Sequence, residues 1–303
     1  MEDRRSALEE MLSTIGEHKG TERTRAAIKR RLARLRQEAD RRLSPKVHAV
    51  HVDPEGAAQV VLLGPPNAGK SSLLAALTRA APTIADYPFS TTKPQPGMMV
   101  FEDVQIQLVD MPPLTSEHMD PWFPNVVQGA DAALLLADAS TPGTLEGLEA
   151  VGERLAAVHL PLVRELPDEV DPGEMPLPTL LVISKADVVD EGDMRVIEEL
   201  YGELFPTIRF SARTRVGFQQ LKLALWRQLQ LVRVYVRPPG KKTERLDPIV
   251  MHAGSTVMDL AVRIHGGRAE KMVYAKLWGG KIDGQKVSRE FELRDRDTVE
   301  LAT

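Results

Sequence analysis

One stretch, AAQVVLLGPPNAGKSSLLAAL at residues 57–77, narrows the choice of fold more than any other part of the chain. Gln59–Leu63 reads as a buried strand, Gly64-Pro65-Pro66-Asn67-Ala68-Gly69-Lys70-Ser71 matches the pattern G-x-x-x-x-G-K-[ST], and Leu73, Leu74 and Leu77 mark the helix that follows. Strand, loop and helix in that order predict an α/β domain with a phosphate-binding loop. Glycines at 64 and 69 let the backbone curl until its N–H groups point at phosphate oxygens, and the helix N-terminus adds partial positive charge. Lys70 is placed to reach the β and γ phosphates, and the Ser71 hydroxyl to ligate Mg²⁺. The phosphate-binding candidates are therefore Gly64, Pro65, Pro66, Asn67, Ala68, Gly69, Lys70, Ser71 and Ser72.

Three shorter motifs follow, each after a strand-like run. Asp110 ends IQLVD, Ser184-Lys185-Ala186-Asp187 follows Thr179–Ile183, and Ser211-Ala212-Arg213 follows Thr207–Phe210. A carboxylate at 187 can accept both the N1–H and the exocyclic amine of guanine, a donor pair that adenine lacks, and the backbone at 211–213 fits a loop that reads the guanine carbonyl. Each short motif is weak alone. Their order after the phosphate loop predicts a guanine-nucleotide-binding domain with GTP or GDP as ligand, with the Asp110 carboxylate toward Mg²⁺.

Charge divides the chain in the same way as pattern. Residues 1–47 carry 13 Lys/Arg against 8 Asp/Glu, residues 232–303 carry 14 against 10, and residues 48–231 carry 12 against 25. An acidic domain that binds an anionic nucleotide must do so through local dipoles and a bound cation; basic flanks can meet a polyanion such as RNA, or can be solvated faces only. In the first flank, Ile28, Leu32, Leu35, Ala39 and Leu43 recur at helical spacing behind a shorter pattern of Leu8, Met11, Leu12 and Ile15. With a break at 18–21 this predicts a basic helical hairpin, which can pack on the next domain, bind a partner protein or self-associate. Residues 162–178 read as an acidic, proline-studded loop. The N-terminus lacks the apolar core of a signal peptide, no apolar run approaches the ~18 residues of a membrane span, and cysteine is absent, which excludes disulfides and thiolate chemistry. A cytoplasmic protein is the expectation.

GPPNAGKSSLL with DYPFSTTKPQPG, KGTERTRAAIKRRLARLRQEADRR, and RVYVRPPGKKTERLDPIVMHAGSTVMDLAVRIHGG with YAKLWGG together cover most of the chain. On these segments it resembles the Obg-related GTPases, and most closely the developmentally regulated GTP-binding protein family. The resemblance implies a GTPase domain with a mostly parallel sheet at 48–231, preceded by a helical hairpin at 1–47 and followed by a ubiquitin-like β-grasp TGS domain at 232–303. It places the Mg²⁺-binding threonine of the first switch on Thr91, with Thr92 the alternative, makes Asn67 a candidate K⁺ ligand, and implies ribosome or RNA association. The last segment supports a β-grasp by itself. Val232–Val236, Pro248–His252, Val273–Leu277, Gln285–Val287 and Thr298–Leu301 read as strands, and Thr256–Ile264 as a helix with Val257, Leu260, Ala261 and Ile264 on one face. Lys241, Lys242, Arg245 and Lys281 supply basic surface there, for RNA or for solubility.

Departures from the family pattern matter as much as the matches. The interval between Asp110 and Ser184 is long enough for a helix and the acidic loop, so the family's inserted domain is expected to be absent. Ser184 stands where the family has asparagine, and its hydroxyl must replace an amide that ties the base-binding loop to the phosphate loop. Pro113 stands where the second switch has a glycine whose N–H donates to the γ-phosphate; proline has no N–H and a fixed φ. The next residue, Leu114, cannot orient water as a glutamine would. Two functions fit: a slow GTPase, with Lys70 and Thr91 catalytic, acting as a ribosome- or RNA-associated switch, or a nucleotide-dependent RNA- or protein-binding module with negligible hydrolysis.

Overall fold

The computed structural model describes residues 50–78, 93–115, 117–238, 247–266, 269, 274–280 and 282–302. The helical hairpin read over 1–47, the Thr91/Thr92 switch segment, and Lys241, Lys242, Arg245 and Lys281 lie outside the described residues.

Val50–Thr303 forms one compact unit that contains two sheets. The first has β1 (Gln59–Leu63), β2 (Gln95–Phe101), β3 (Val104–Asp110), β4 (Ala132–Asp138), β5 (Leu162–Val163), β6 (Leu177–Ser184) and β7 (Thr207–Arg209), with α1 (Lys70–Leu77), α2 (Phe123–Gln128), α3 (Thr144–Ala156), α4 (Glu191–Tyr201) and α5 (Phe218–Gln228). Strand order is β2-β3-β1-β4-β6-β5, with β7 also paired to β6, and every pair is parallel except the β2–β3 hairpin. A parallel sheet covered on both faces needs strands that are apolar throughout. β1, β4 and β6 are buried from end to end. Val60 and Leu62 face the cluster that holds Leu73, Phe210, Leu221 and Leu225, while Val61 and Leu63 face Leu148, Val151 and Ile197. Chain order reverses around β1, so the carboxyl ends of β1, β3, β4 and β6 open on a crevice of the kind that binds ligands in open α/β sheets.

The interval 111–183, expected to hold one helix and a long loop, contains α2, β4, α3 and β5 before β6, and the acidic loop shrinks to 164–176 because Leu162–Val163 pairs with Leu177–Pro178. Sequence pattern misses α2 because it is six residues long with a proline in its first turn, and β4 because a continuous apolar run has no period.

The second sheet has β8 (Leu231–Val236), β9 (Ile249–His252), β10 (Tyr274–Gly279), β11 (Ile282–Val287) and β12 (Asp297–Ala302), ordered β11-β10-β12-β8-β9, with α6 (Val257–His265) packed on one face. Only β12 and β8 run parallel. This is a β-grasp. Thr256 caps α6 in a reciprocal box, accepting from the Asp259 N–H while the Asp259 carboxylate accepts from the Thr256 N–H. Expected strand positions hold to within a few residues, because Val232 and Val234 of β8 and Ala275 and Leu277 of β10 alternate into the α6-facing core.

Arg233 joins the two sheets. Its side chain is 3% exposed and donates to Asp295 in the second sheet's domain and to Glu102 and Asp103 at the β2–β3 turn, while the guanidinium lies over Trp226 and Phe101.

Candidate functional site

The phosphate loop runs Gly64–Gly69 between β1 and α1. Gly64 has φ +145, and a Cβ there would lie 2.7 Å from the Leu136 carbonyl oxygen; Gly69 has φ +91. Both glycines are therefore required by the fold of the loop. Asn67, exposed at the crest, also adopts a left-handed φ of 61. Pro65 and Pro66 are half-buried beside it, and Ala68 is packed into the core.

Lys70 lies inside the loop at 6% exposure, its Nζ donating to the carbonyls of Gly64 and Pro65 at 2.9 Å each. Burial pulls its pKa down from 10.5 to about 8 against the attraction of Asp110. Next to it the Ser71 hydroxyl donates to Asp110 Oδ2 at 2.5 Å, with Asp110 fully buried at the end of β3. Hydroxyl and carboxylate oxygens converging beside a phosphate loop are hard donors of the kind Mg²⁺ takes, so the described residues fit that ion. Ser72 is half-buried in the first turn of α1.

Beyond Asp110, residues 111–115 are drawn against the loop, with the Leu114 N–H 3.4 Å from the Gly64 carbonyl. Leu114 is 2% exposed in the apolar cluster, and Pro113 is half-buried ahead of it. The position after the switch proline thus packs inward.

At the other end of the crevice, β6 delivers Ser184, Lys185 and Asp187. Ser184 is buried directly beneath the phosphate loop: a Cβ on Gly69 would come within 3.4 Å of its Oγ. That hydroxyl has no hydrogen-bond partner among the described residues. Lys185, at φ 55, donates to Asp138 Oδ2 at 2.5 Å. Burial alone would raise the Asp138 carboxyl, but donors from Lys185, Ser140 and Thr141 hold it below the usual carboxylate range. Sequence reasoning missed Asp138. Its signal was the acid closing the apolar run AALLLAD, in register with Ser184 on the neighbouring strand.

Asp187 accepts from Arg213 Nε at 2.6 Å and Nη2 at 2.5 Å. The Ser211 side chain, then Arg213, hold its carboxyl below the usual range. Ala212 is half-buried between them. The Ser211 N–H is donated to the Val216 carbonyl at 3.0 Å, which closes the turn that presents the 211–213 backbone. The crevice thus brings together Lys70, Ser71 and Asp110 at its phosphate end, and Lys185, Asp187, Ser211 and Arg213 at its base end.

Fold and site together define a P-loop nucleotide-binding domain joined to a β-grasp module. Residues 59–163 match the model described as "50S ribosome-binding GTPase", and residues 232–303 match the TGS domain. An uncharacterized GTP-binding protein of Methanocaldococcus jannaschii is 26% identical over 354 residues, covering 97% of this chain and 90% of that one. Developmentally-regulated GTP-binding protein 2 of Homo sapiens is 24% identical, covering 98% and 97%. A solved GTP binding protein from Pyrococcus horikoshii shares the fold, with TM-score 0.51 at 16% identity over 81% of this chain and 99% of that one. Along nearly its whole length the chain is similar to developmentally regulated GTP-binding proteins, with a GTPase domain followed by a TGS domain. The alignment of 354 positions exceeds the 303 residues of this chain, so the archaeal relative carries residues that this one lacks. No helix among the described residues is long and apolar enough to cross a membrane.

Proposed function

We propose that this protein is a slow, Mg²⁺-dependent GTPase that acts as a ribosome- or RNA-associated switch. The observation that carries the reading is the meeting of Ser71 Oγ and Asp110 Oδ2 at 2.5 Å beside a buried lysine amine. Lys70 would neutralise charge on the β and γ phosphates, Ser71 and, by its position, Thr91 would ligate Mg²⁺, and Asp110 would hold the ion through water. Bound Mg²⁺ would neutralise charge that develops on the phosphate oxygens. Water adds to the γ-phosphorus, the bond to the β–γ bridging oxygen breaks, and GDP and phosphate leave. Asp187 selects guanine by accepting its two N–H groups, with Ser184, Lys185, Ser211, Ala212 and Arg213 completing the base pocket. Asn67, exposed at the crest of the loop, is the residue we assign to a K⁺ ion. Nucleotide binding occupies residues 48–231, with RNA contacts on the basic segment 1–47 and the TGS domain 232–303; their net positive charge and the ribosome-binding description of the matched GTPase model support this.

A second reading, a nucleotide-dependent binding module with negligible hydrolysis, is favoured by one observation: Pro113 offers no N–H and Leu114 is anchored in the core. Nucleotide binding and single-turnover phosphate release, measured together, separate the two. Wild type binds GTP over ATP and releases phosphate slowly. Pro113→Gly restores a backbone N–H at this position and should speed release by about tenfold or more. An unchanged rate with binding intact removes Pro113 as the cause of slow turnover. Equal affinity for ATP, or a guanine preference that survives Asp187→Ala, removes the base assignment.

A further inference from the structure

We propose that the outward face of the β10–β11 half of the TGS sheet binds single-stranded RNA, with bases against Tyr274 and Trp278 and phosphates at Arg237, Lys276 and Lys286. The proposal rests on the RNA association put forward above, and gives it a site. Along β10, Ala275 and Leu277 are buried beneath α6, which turns Tyr274, Lys276 and Trp278 to the opposite face. Register extends that face across the sheet: Lys276 pairs with Lys286 on β11 and Glu300 on β12, and Trp278 pairs with Thr298, itself opposite Tyr235 on β8. The β8–β9 end of the sheet is covered by the GTPase domain through Arg233 and Val250. The β10–β11 end is half exposed, and its apolar residues pack in the cluster of the second sheet rather than in that of the first.

Ring and cation alternate on this surface. The Arg237 guanidinium lies 3.2 Å from the Trp278 ring centroid, and Lys286 and Lys276 stand 4.2 and 5.9 Å from that of Tyr274. Glu300, 6% exposed, lies between Arg237 at 3.1 Å and Lys276 at 3.7 Å. Glu300 and Asp283, the latter paired with Trp278, set two carboxylates against Arg237, Lys276 and Lys286, which leaves the face with one net positive charge. A protein-binding core is typically depleted in lysine, whereas alternation of flat rings and cations matches the alternation of base and phosphate along a single strand. Duplex RNA hides its bases in the stack, so a surface built on rings must discriminate against it.

The test uses the full chain, a fluorescein-labelled single-stranded 12-mer RNA and a duplex of equal length, titrated by anisotropy across a range of NaCl. The single strand should bind at least roughly tenfold tighter than the duplex. Tyr274→Ala should weaken it about tenfold with the salt slope unchanged. Lys286→Gln should reduce the slope of log K against log[salt] by about 0.7. Trp278 packs on Gly284, so Trp278→Ala can loosen the β10–β11 turn; Tyr274 and Lys286 are the deciding positions, with circular dichroism and GDP binding as checks of integrity. Wild type that binds neither RNA at low salt overturns both the RNA association and this site. Wild type that binds while Tyr274→Ala and Lys286→Gln change nothing overturns the site alone. Equal affinity for duplex, or equal competition by polyglutamate, overturns it as a generic anion or acidic-protein surface.

Discussion

Truncating Arg233 to alanine removes the hub between the two sheets. The guanidinium donates to Asp295 through Nε at 3.0 Å and Nη2 at 2.6 Å, to Asp103 at 3.0 Å and to Glu102, with Trp226 5.1 Å and Phe101 5.9 Å from its carbon. Breaking a fully buried ion pair costs roughly 3–5 kcal/mol, mostly from the partner left buried and uncompensated. Here the partners rehydrate in part, since the side chains of Glu102, Asp103 and Asp295 are 46%, 38% and 35% exposed. The expected cost falls to about 2–3 kcal/mol, which for a unit of this size lowers Tm by about 5–10 °C.

The pH dependence has a definite sign. Arg233 is the chief cause that holds Glu102 below the ordinary carboxylate range; for Asp103 and Asp295 burial pulls upward, but Tyr235 and Arg233 at the first and Arg233 at the second outweigh it. Groups with depressed folded pKa values contribute stability above the unfolded value of about 4 and lose it as pH falls through the folded value. Wild type should therefore exceed Arg233→Ala by the full margin at pH 7, and the gap should close toward about pH 3. Thermal melts of wild type, Arg233→Ala, Asp295→Ala and the double variant, at both pH values, measure the margin and the coupling. A Tm loss under 2 °C at pH 7, a loss that persists undiminished in acid, or additive single losses would refute the reasoning.

Gly217 caps α5 at φ +79, and a Cβ there would sit 2.0 Å from the Arg209 carbonyl oxygen, so Gly217→Ala should cost roughly 3 kcal/mol or more in urea denaturation. Gly254 has a similar φ of +84 but open space around it, and Gly254→Ala should cost only about 1 kcal/mol; equal losses at the two sites would show that conformation alone decides both. Thr256→Ala removes the capping box of α6 and should cost about 1 kcal/mol by the same measurement, with an unchanged midpoint counting against the cap.

What the sequence disclosed was local. The phosphate loop is legible because its chemistry lies within eight consecutive residues, and the β-grasp strands because alternation writes itself into short windows. Ser71 and Asp110 were legible as separate motifs whose meeting follows from β1 and β3 being neighbours. The Arg233 cluster was not, since its partners lie 130 and 131 residues away and a buried arginine looks like any strand arginine until the fold closes over it. Asp138 was hidden likewise, because its role depends on strand register with Ser184.

The β2–β3 hairpin puts these two kinds of information in mechanical series. Gln95 pairs with Asp110 at one end, Phe101 with Val104 at the other, and the intervening pairs are continuous. Seven paired residues span about 20 Å and cannot shorten without breaking the ladder. At one end Asp110 accepts from Ser71 of the phosphate loop; at the other, Glu102 and Asp103 accept from Arg233, Arg296 and Tyr235 of the TGS domain. Sliding the hairpin along its axis would therefore strain both ends together, and slippage past Arg233 would also uncover the stacked Phe101 and Trp226 rings, whose centroids lie 5.1 Å apart. The Asp110 end is held by β1 as well, because Leu62 pairs with Asp110 in the centre of the sheet, so the hairpin is anchored at both ends.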